Sequence, residues 1–124
     1  MIQIGPEMQE ALFKPTLTDA SRQAFMTICS VPQANIVVGH NIKSGTKWDW
    51  GLGGAVVLED VEGMRKKGTL HWSGLPNNFW WADRETGLCG IYGTQVIPPG
   101  DPKSVKMFTL FQKEMFERAT GTSK

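Results

Sequence analysis

Ser44 and Lys47 are separated by two residues, the spacing with which some acyl-transfer enzymes place a serine nucleophile beside its base. That chemistry requires one turn of helix between the two residues, so that both side chains lie on one face. Here Gly45 and Thr46 separate them, in a stretch that contains Gly, Asn and Ser and shows no helical period. We therefore interpret this Ser-x-x-Lys match as coincidence.

The residues that could bind a metal ion are scattered along the chain. His40 lies in the same irregular stretch and His71 in a predicted strand, and neither has a second ligand at metal-site spacing. The two cysteines, Cys29 and Cys89, are too few for a disulfide scaffold, and we predict that both are reduced and buried. The sequence predicts no metal site, no cofactor and a cytoplasmic location.

Two further patterns look like binding motifs but have simpler interpretations. The acidic residues Glu59, Asp60 and Glu62 lie across a predicted hairpin from residues 65–67 (Arg-Lys-Lys), so the charges are expected to pair on a solvated tip. The glycine-rich run 51–54 precedes a strand rather than a helix, so it lacks the helix N-terminus that binds phosphate.

The segment 72–77 (Trp-Ser-Gly-Leu-Pro-Asn) is more informative. A glycine at a strand end followed by Leu and Pro lets a ligand approach the backbone and leaves an N–H group free to donate. Trp72, Trp80 and Trp81 could form the wall of an apolar pocket beside it, with Asn77 at its edge. The alternative is that these tryptophans belong to the core, and the pattern leaves both readings open.

The elements that must position these residues are helical at both ends of the chain. Residues 6–30 are predicted to form helices, with Thr18 or Asp19 as the cap of the second one, which Pro32 should end. Residues 31–50 are predicted to be a long connection. Residues 101–119 are predicted to form a last helix, capped by Asp101, with an apolar stripe that should lie on a sheet.

Residues 51–97 are predicted to form the sheet. About four strands are expected, at 51–61, 68–74, 78–83 and 88–97, and the short connections between them favour antiparallel pairing. The predicted fold class is therefore α+β: an antiparallel sheet covered by the N-terminal helices and the C-terminal helix.

Composition limits the possible partners. The chain has 124 residues and a formal net charge of +1, which argues against a protein that binds nucleic acid through phosphate contacts. No apolar run approaches the roughly 18 residues that cross a bilayer. Neither nucleic acid nor a membrane is expected as a partner.

The order of motifs resembles one known family. The carriers of the resemblance are the runs at 50–54 (WGLGG), 72–77 (WSGLPN), 80–83 (WWAD), 87–90 (GLCG) and 94–102 (TQVIPPGDP). Together they resemble the C-terminal part of the β-lactamase-related serine hydrolases, which include class C β-lactamases, family VIII esterases and fungal acyltransferases of lovastatin-type pathways. The fungal branch is the most similar, over residues 15–119.

The resemblance implies a site on the second predicted strand, at 68–74. Trp72-Ser73-Gly74 occupies the place of the family's third motif, and the amide of Leu75 would then be one oxyanion donor. Family members are much longer than this chain. Their Ser-x-x-Lys helix and Tyr-x-Asn loop lie upstream of the matching part, and the single tyrosine here, Tyr92, precedes Gly-Thr.

Three hypotheses follow. In the first, the chain is the C-terminal portion of a serine esterase or transesterase, without acyl-enzyme chemistry of its own. In the second, it binds, isomerises or cyclises a small apolar metabolite, with His71, Tyr92 or Asp83 as proton-transfer groups. In the third, it is an interaction module. The expected partners are accordingly a small apolar metabolite or an acyl ester, together with a second copy of the chain or a complementing N-terminal segment.

Overall fold

Three helices precede the sheet in the computed structural model, which describes residues 4–39 and 45–121. Helix α1 spans Pro6–Phe13, α2 spans Asp19–Cys29 and α3 spans Pro32–Gly39. The side-chain oxygen of Thr18 accepts a hydrogen bond from the Ser21 amide (3.2 Å), which caps α2 as predicted.

Helix α3 corrects the prediction that residues 31–50 are a connection. Pro32 ends α2 but also begins α3, because proline is well tolerated in the first turn of a helix, where its missing N–H has no partner to lose. The second part of the expected connection contains a strand, β1, at Trp48–Trp50.

The sheet has five antiparallel strands rather than about four. After β1 come β2 at Ala55–Val57, β3 at Leu70–Gly74, β4 at Asn78–Asp83 and β5 at Leu88–Tyr92, and their order in space is their order in the chain. The expected strands at 51–61 and 88–97 are shorter than predicted, whereas β4 has the predicted bounds. The α+β class with an antiparallel sheet is confirmed.

The glycine-rich turn between β1 and β2 packs against the end of α1. A Cβ atom on Gly51 would lie 2.8 Å from the Lys14 carbonyl oxygen, and one on Gly53 would lie 3.1 Å from that of Leu12. The Gly53 amide donates a hydrogen bond to the same Leu12 oxygen (3.1 Å). These glycines therefore allow two backbones to approach closely.

One core cluster lies between β4 and the last helix, α4, at Pro102–Thr120. Phe79 and Trp81 of β4 pack on Phe108 and Phe116 of α4, and all four are at most 3% exposed. Asp101 caps this helix as predicted, since its carboxylate accepts a hydrogen bond from the Ser104 amide (2.7 Å).

A buried carboxylate joins the helices to the other side of the sheet. The Asp49 side chain on β1 is fully buried and accepts hydrogen bonds from the amides of Thr16, Leu17 and Trp50, at 2.7–3.1 Å. The Arg22 guanidinium donates a further bond to it. Across residues 4–39 and 45–121, no helix is long and apolar enough to cross a membrane.

Candidate functional site

The third-motif residues lie at the end of β3. Gly74 pairs with Asn78 across the hairpin, so Leu75 begins the three-residue turn between β3 and β4. The Leu75 side chain is 71% exposed. Within the described ranges its amide donates no hydrogen bond. No described group therefore competes for this amide, and its assignment as an oxyanion donor stays a prediction.

Asn77 in the same turn is fully buried and has a left-handed backbone, with φ of 57°. Its side-chain nitrogen donates to the carbonyl oxygens of Val96 (2.7 Å) and Pro98 (3.0 Å). Its side-chain oxygen accepts from the amides of Gly100 (2.8 Å) and Asp101 (3.0 Å). These four bonds use both donors and both acceptor positions of the amide. A place for Asn77 in a substrate pocket stays a prediction, and it would require one of these bonds to break.

The three candidate pocket tryptophans do not lie on one side of the sheet. Trp72 and Trp80 are direct cross-strand partners and therefore share a face. Trp81 follows Trp80 in β4, so its side chain projects from the opposite face, where it packs on α4. A wall formed by Trp72 and Trp80 is compatible with this arrangement, but one that also includes Trp81 is not.

Trp72 and Trp80, which share one face of the sheet, both contact other residues of the fold. The Trp72 ring contacts Trp50 edge to face, with ring centroids 4.5 Å apart. A Cβ atom on Gly54 would lie 3.1 Å from the Trp80 ring, which therefore covers this glycine. Trp72 and Trp80 are nonetheless only half-buried, and a role for them in a ligand pocket stays a prediction.

Two of the three candidate proton-transfer groups are also far apart, and the third is buried. His71 is fully buried, and its ring lies 4.6 Å from that of Trp48. Asp83 and Tyr92 lie at opposite ends of the β4–β5 ladder, four residues or roughly 13 Å apart along the strands. The structure thus does not bring these three residues into one site.

The local contacts of Asp83 indicate a role in the fold. Its carboxylate accepts hydrogen bonds from the amides of Glu85 (2.9 Å) and Thr86 (3.2 Å), which closes the β4–β5 turn, and from the Lys66 amide (3.1 Å). Tyr92 stacks on Phe79, with ring centroids 6.1 Å apart.

Ser73, the middle residue of the third motif, connects β3 to a helix. Its hydroxyl donates a hydrogen bond to the Val37 carbonyl oxygen on α3 (2.7 Å). Sequence reasoning missed this contact because it missed α3. Of the other candidates for chemistry, His40 and Ser44 lie outside the described residues, and Lys47 precedes β1 with no helix around it.

The charged hairpin at 59–67 is only partly a solvated tip. Lys66 forms the expected ion pair with Asp60, with a nitrogen–oxygen distance of 3.1 Å. Arg65 instead is fully buried, with its guanidinium 5.8 Å from the centre of the Phe108 ring, and burial lowers its pKa to about 9. The predicted charge pairing on a solvated tip is therefore confirmed for Lys66, whereas Arg65 lies in the interior and its side chain packs toward α4.

The prediction that both cysteines are buried is correct for only one of them. Cys29 is buried, which raises the pKa of its thiol, but Cys89 on β5 is exposed, and both are free. Cys89 pairs with Ala82 and lies on the face opposite Trp81, which α4 leaves uncovered. No cluster of three His, Cys, Asp or Glu residues with metal-binding geometry occurs in the part of the chain that the structure describes.

A cavity of about 500 Å³ lies away from the β3–β4 turn. It lies between the 60–66 hairpin and the C-terminal end of α4, with Val61, Met64 and Phe116 among its lining residues. None of the third-motif residues lines it, so it does not extend the candidate site.

Known proteins similar to this chain are fungal acyltransferases and esterases. The chain is 34% identical over 114 residues to "Acyltransferase calJ" of Penicillium decumbens, and 29% identical over 116 residues to the monacolin J acid methylbutanoyltransferase of Aspergillus terreus. Each alignment covers 91% of this chain, but only 27% and 28% of the relative. A lovastatin esterase of Penicillium rubens is 43% identical over 56 residues, which are 45% of this chain and 14% of the esterase.

Solved structures also match this chain over only a part of their own length. A mutant simvastatin synthase of Aspergillus terreus superposes with a TM-score of 0.86 at 26% identity, over 94% of this chain and 29% of the synthase. The unliganded synthase gives a TM-score of 0.82 at 28% identity, over 91% of this chain and 29% of the synthase. No family model matches. The chain spans about a quarter of the length of the curated relatives it matches.

Proposed function

Since this chain corresponds to the C-terminal part of the β-lactamase-like fungal acyltransferases, we propose that it supplies the oxyanion side of an acyl-transfer site. The single observation that carries the proposal is the position of the Leu75 amide. It follows the Trp72-Ser73-Gly74 motif at the end of a paired strand and has no hydrogen-bond acceptor within the described residues.

The physical role of such an amide is to stabilise negative charge. When a nucleophile adds to an ester carbonyl, the oxygen atom becomes an oxyanion, and a fixed N–H group donates to it without further reorganisation. Removal of one such donor typically reduces kcat by about 10²–10³-fold. Trp72 and Trp80, half-buried on one face of β3 and β4, would border the acyl or alcohol part of the substrate.

The nucleophile and its base would come from another segment. Lys47 is not on a helix, so the local Ser-x-x-Lys match has no support as a catalytic pair. In the relatives, the chain outside the matching part is about three times as long as the matching part. We propose that this additional chain supplies the nucleophile and its base. Alone, this chain would not form an acyl-enzyme.

The proposed substrate class is a small apolar acyl ester. The relatives' names describe transfer of a methylbutanoyl group to monacolin J acid and hydrolysis of a lovastatin ester. By analogy, this chain would act in fungal secondary metabolism, in the cytoplasm. Its substrates would be similar in polarity to those that the relatives' names describe.

The test compares the chain alone with the chain mixed with the remaining N-terminal part of the Aspergillus terreus methylbutanoyltransferase. We expect no hydrolysis of p-nitrophenyl butyrate by the chain alone and measurable hydrolysis by the mixture. In the mixture, Leu75→Pro removes the N–H donor, and Gly74 before it is already in the extended conformation that precedes proline. The activity should fall about 10²-fold or more.

Leu75→Ala is the matched control, because it keeps the amide and changes only an exposed side chain. It should retain most of the activity. Hydrolysis by the chain alone that Ser44→Ala abolishes would show that the nucleophile is local and would overturn the proposal. Equal activity of the Leu75→Pro and Leu75→Ala mixtures would overturn the oxyanion assignment.

A second candidate function is self-association, which the edge strand β5 favours. Within the described residues β5 pairs only with β4, it carries no charged residue, and Ile91 on it is 74% exposed. Unprotected edges of this kind pair with other strands. Sedimentation of the purified chain should then show a dimer that Ile91→Lys converts to a monomer, and a strictly monomeric profile at high concentration would contradict this. The distance between Asp83 and Tyr92 and the complete burial of His71 give an isomerase or cyclase no comparable support.

A further inference from the structure

We propose that Asn77 is a positioning residue that fixes the direction of the Leu75 amide. It does so by holding the β3–β4 turn against the segment 94–101, which leads into α4. This inference rests on the proposed function, because it assigns a purpose to the turn that carries the proposed oxyanion donor.

The Leu75 amide has little else to hold it. The Leu75 side chain is 71% exposed, so packing does not fix its position, and its own N–H group makes no hydrogen bond within the described residues. Its orientation therefore depends on the ladder pair Gly74–Asn78 on one side and on Pro76 and Asn77 on the other.

Both the nitrogen and the oxygen of the Asn77 side-chain amide form hydrogen bonds. The nitrogen donates to the Val96 and Pro98 carbonyl oxygens, and the oxygen accepts from the Gly100 and Asp101 amides. A fully buried amide with four bonds to four backbone groups leaves the turn little freedom to rotate. Its φ of 57° is a conformation that Asn accepts more readily than most residues.

Thr94 adds two contacts from the same segment. Its hydroxyl donates to the Pro76 carbonyl oxygen, and its amide donates to the side-chain oxygen of Asn78 (2.8 Å). Each residue of the turn after Leu75 is thus held by the 94–101 segment. That segment is itself fixed where Asp101 caps α4.

Catalysis requires that the position of the Leu75 amide is fixed accurately. A displacement of about 1 Å in a catalytic group can cost about 10²-fold in rate. A backbone donor cannot correct its position by changing rotamer, so the residues that hold the backbone determine its placement. We therefore expect kcat to depend on Asn77, although Asn77 itself would touch no substrate.

The first experiment uses the chain alone and does not depend on activity. Asn77→Gly removes the side-chain bonds and keeps the left-handed backbone accessible, which avoids the strain of Asn77→Ala. We expect the ¹⁵N order parameter of the Leu75 amide to fall from about 0.85 to below about 0.6. Asp49→Asn is the control, because it weakens the fold at β1, two strands away from β3 in the sheet, and should leave this order parameter unchanged.

Thr94→Val provides a second variant of similar shape, which loses the hydroxyl that donates to the Pro76 carbonyl oxygen and accepts from the Val96 amide (3.2 Å). It should loosen the Leu75 amide in the same direction as Asn77→Gly, by less. An unchanged Leu75 order parameter in Asn77→Gly, or an equal fall in Asp49→Asn, would overturn the positioning role.

The second experiment uses the mixture with the N-terminal part of the Aspergillus relative. Asn77→Gly should lower kcat about 10²-fold with little change in KM, the pattern of an interaction lost in the transition state. Full activity of Leu75→Pro would defeat the proposed function, whatever the order parameters show. A normal kcat in Asn77→Gly, with Leu75→Pro inactive, would defeat the positioning role alone.

Discussion

Asp49→Asn is the substitution for which the structure gives the most definite expectation. The carboxylate is fully buried on β1, and it accepts hydrogen bonds from the backbone amides of Thr16, Leu17 and Trp50 and from the side chain of Arg22. Asparagine has nearly the same shape, so the change removes the charge and one acceptor without leaving a cavity. It thereby isolates the electrostatic contribution of the residue.

The magnitude follows from the bonds that are lost. One side-chain oxygen of Asn can still accept from the backbone amides, but its NH₂ group then faces the donor nitrogen of Arg22. Removing one partner of a buried ion pair costs about 3–5 kcal/mol. The Arg22 side chain is 36% exposed and can regain water, so we expect the lower end, about 3 kcal/mol.

Urea unfolding followed by tryptophan fluorescence measures this loss, since Trp48 and Trp50 flank the substituted residue. Glu114→Gln is the matched control. It breaks the ion pair with Arg118 on the surface of α4, where both side chains are at least half exposed, and should cost less than about 0.5 kcal/mol. Equal losses in the two variants, or a loss below about 1 kcal/mol for Asp49→Asn, would refute the account of Asp49 as a buried anchor.

The same carboxylate gives a pH dependence. Burial alone would raise the pKa of Asp49, but hydrogen bonds from Arg22 and from the Leu17 and Trp50 amides outweigh burial and lower it below 3.8. A lowered pKa stabilises the fold above the ordinary Asp value, and this stabilisation is lost as the pH falls through the folded-state pKa. The stability difference between the wild type and Asp49→Asn should therefore be constant near neutrality and narrow below pH 3.8.

Three further predictions concern single contacts. Gly90→Ala would place a Cβ atom 2.1 Å from the buried Trp81 ring, so we expect a loss of about 3 kcal/mol in urea unfolding, whereas Gly93→Ala, whose Cβ would meet only the Asn78 side-chain oxygen at 3.8 Å, should cost little. Thr18→Ala removes the cap of α2 and should cost about 1 kcal/mol, which Thr18→Ser should restore. Ser73→Ala removes the bond from β3 to α3, and hydrogen exchange should show loss of protection in α3 but not in α4.

The elements that the sequence predicted well are those with strong local signals. Helix α4 has Asp101 at its cap, Pro102 at its first position and an apolar stripe, and all three signals agree. Strand β4 lies between turn residues and kept its predicted bounds. Helix α3 was missed because Pro32 marks both an end and a beginning, and sequence alone does not say which applies.

The tryptophan pocket shows a different limit. Side chains alternate across a strand, so Trp80 and Trp81 had to project from opposite faces once both were placed in β4. That part of the error was avoidable. The burial of Arg65 was not, because it depends on the path of a hairpin over α4, which no local pattern specifies. The four bonds of Asn77 likewise join residues 19–24 positions apart.

A site whose proposed donor is a backbone amide has consequences for mutagenesis. Alanine replaces side chains, so Leu75→Ala leaves the proposed oxyanion donor intact and should score as neutral, although the amide would be essential to the chemistry. The large effects should fall instead on Asn77 and Thr94, which hold the turn but would touch no substrate. A scan interpreted by side-chain loss would thus assign the site to Asn77 and Thr94 rather than to Leu75. Backbone-directed substitutions such as Leu75→Pro are needed to locate the donor itself, and the contrast between Leu75→Pro and Leu75→Ala is the measurement that separates the two interpretations.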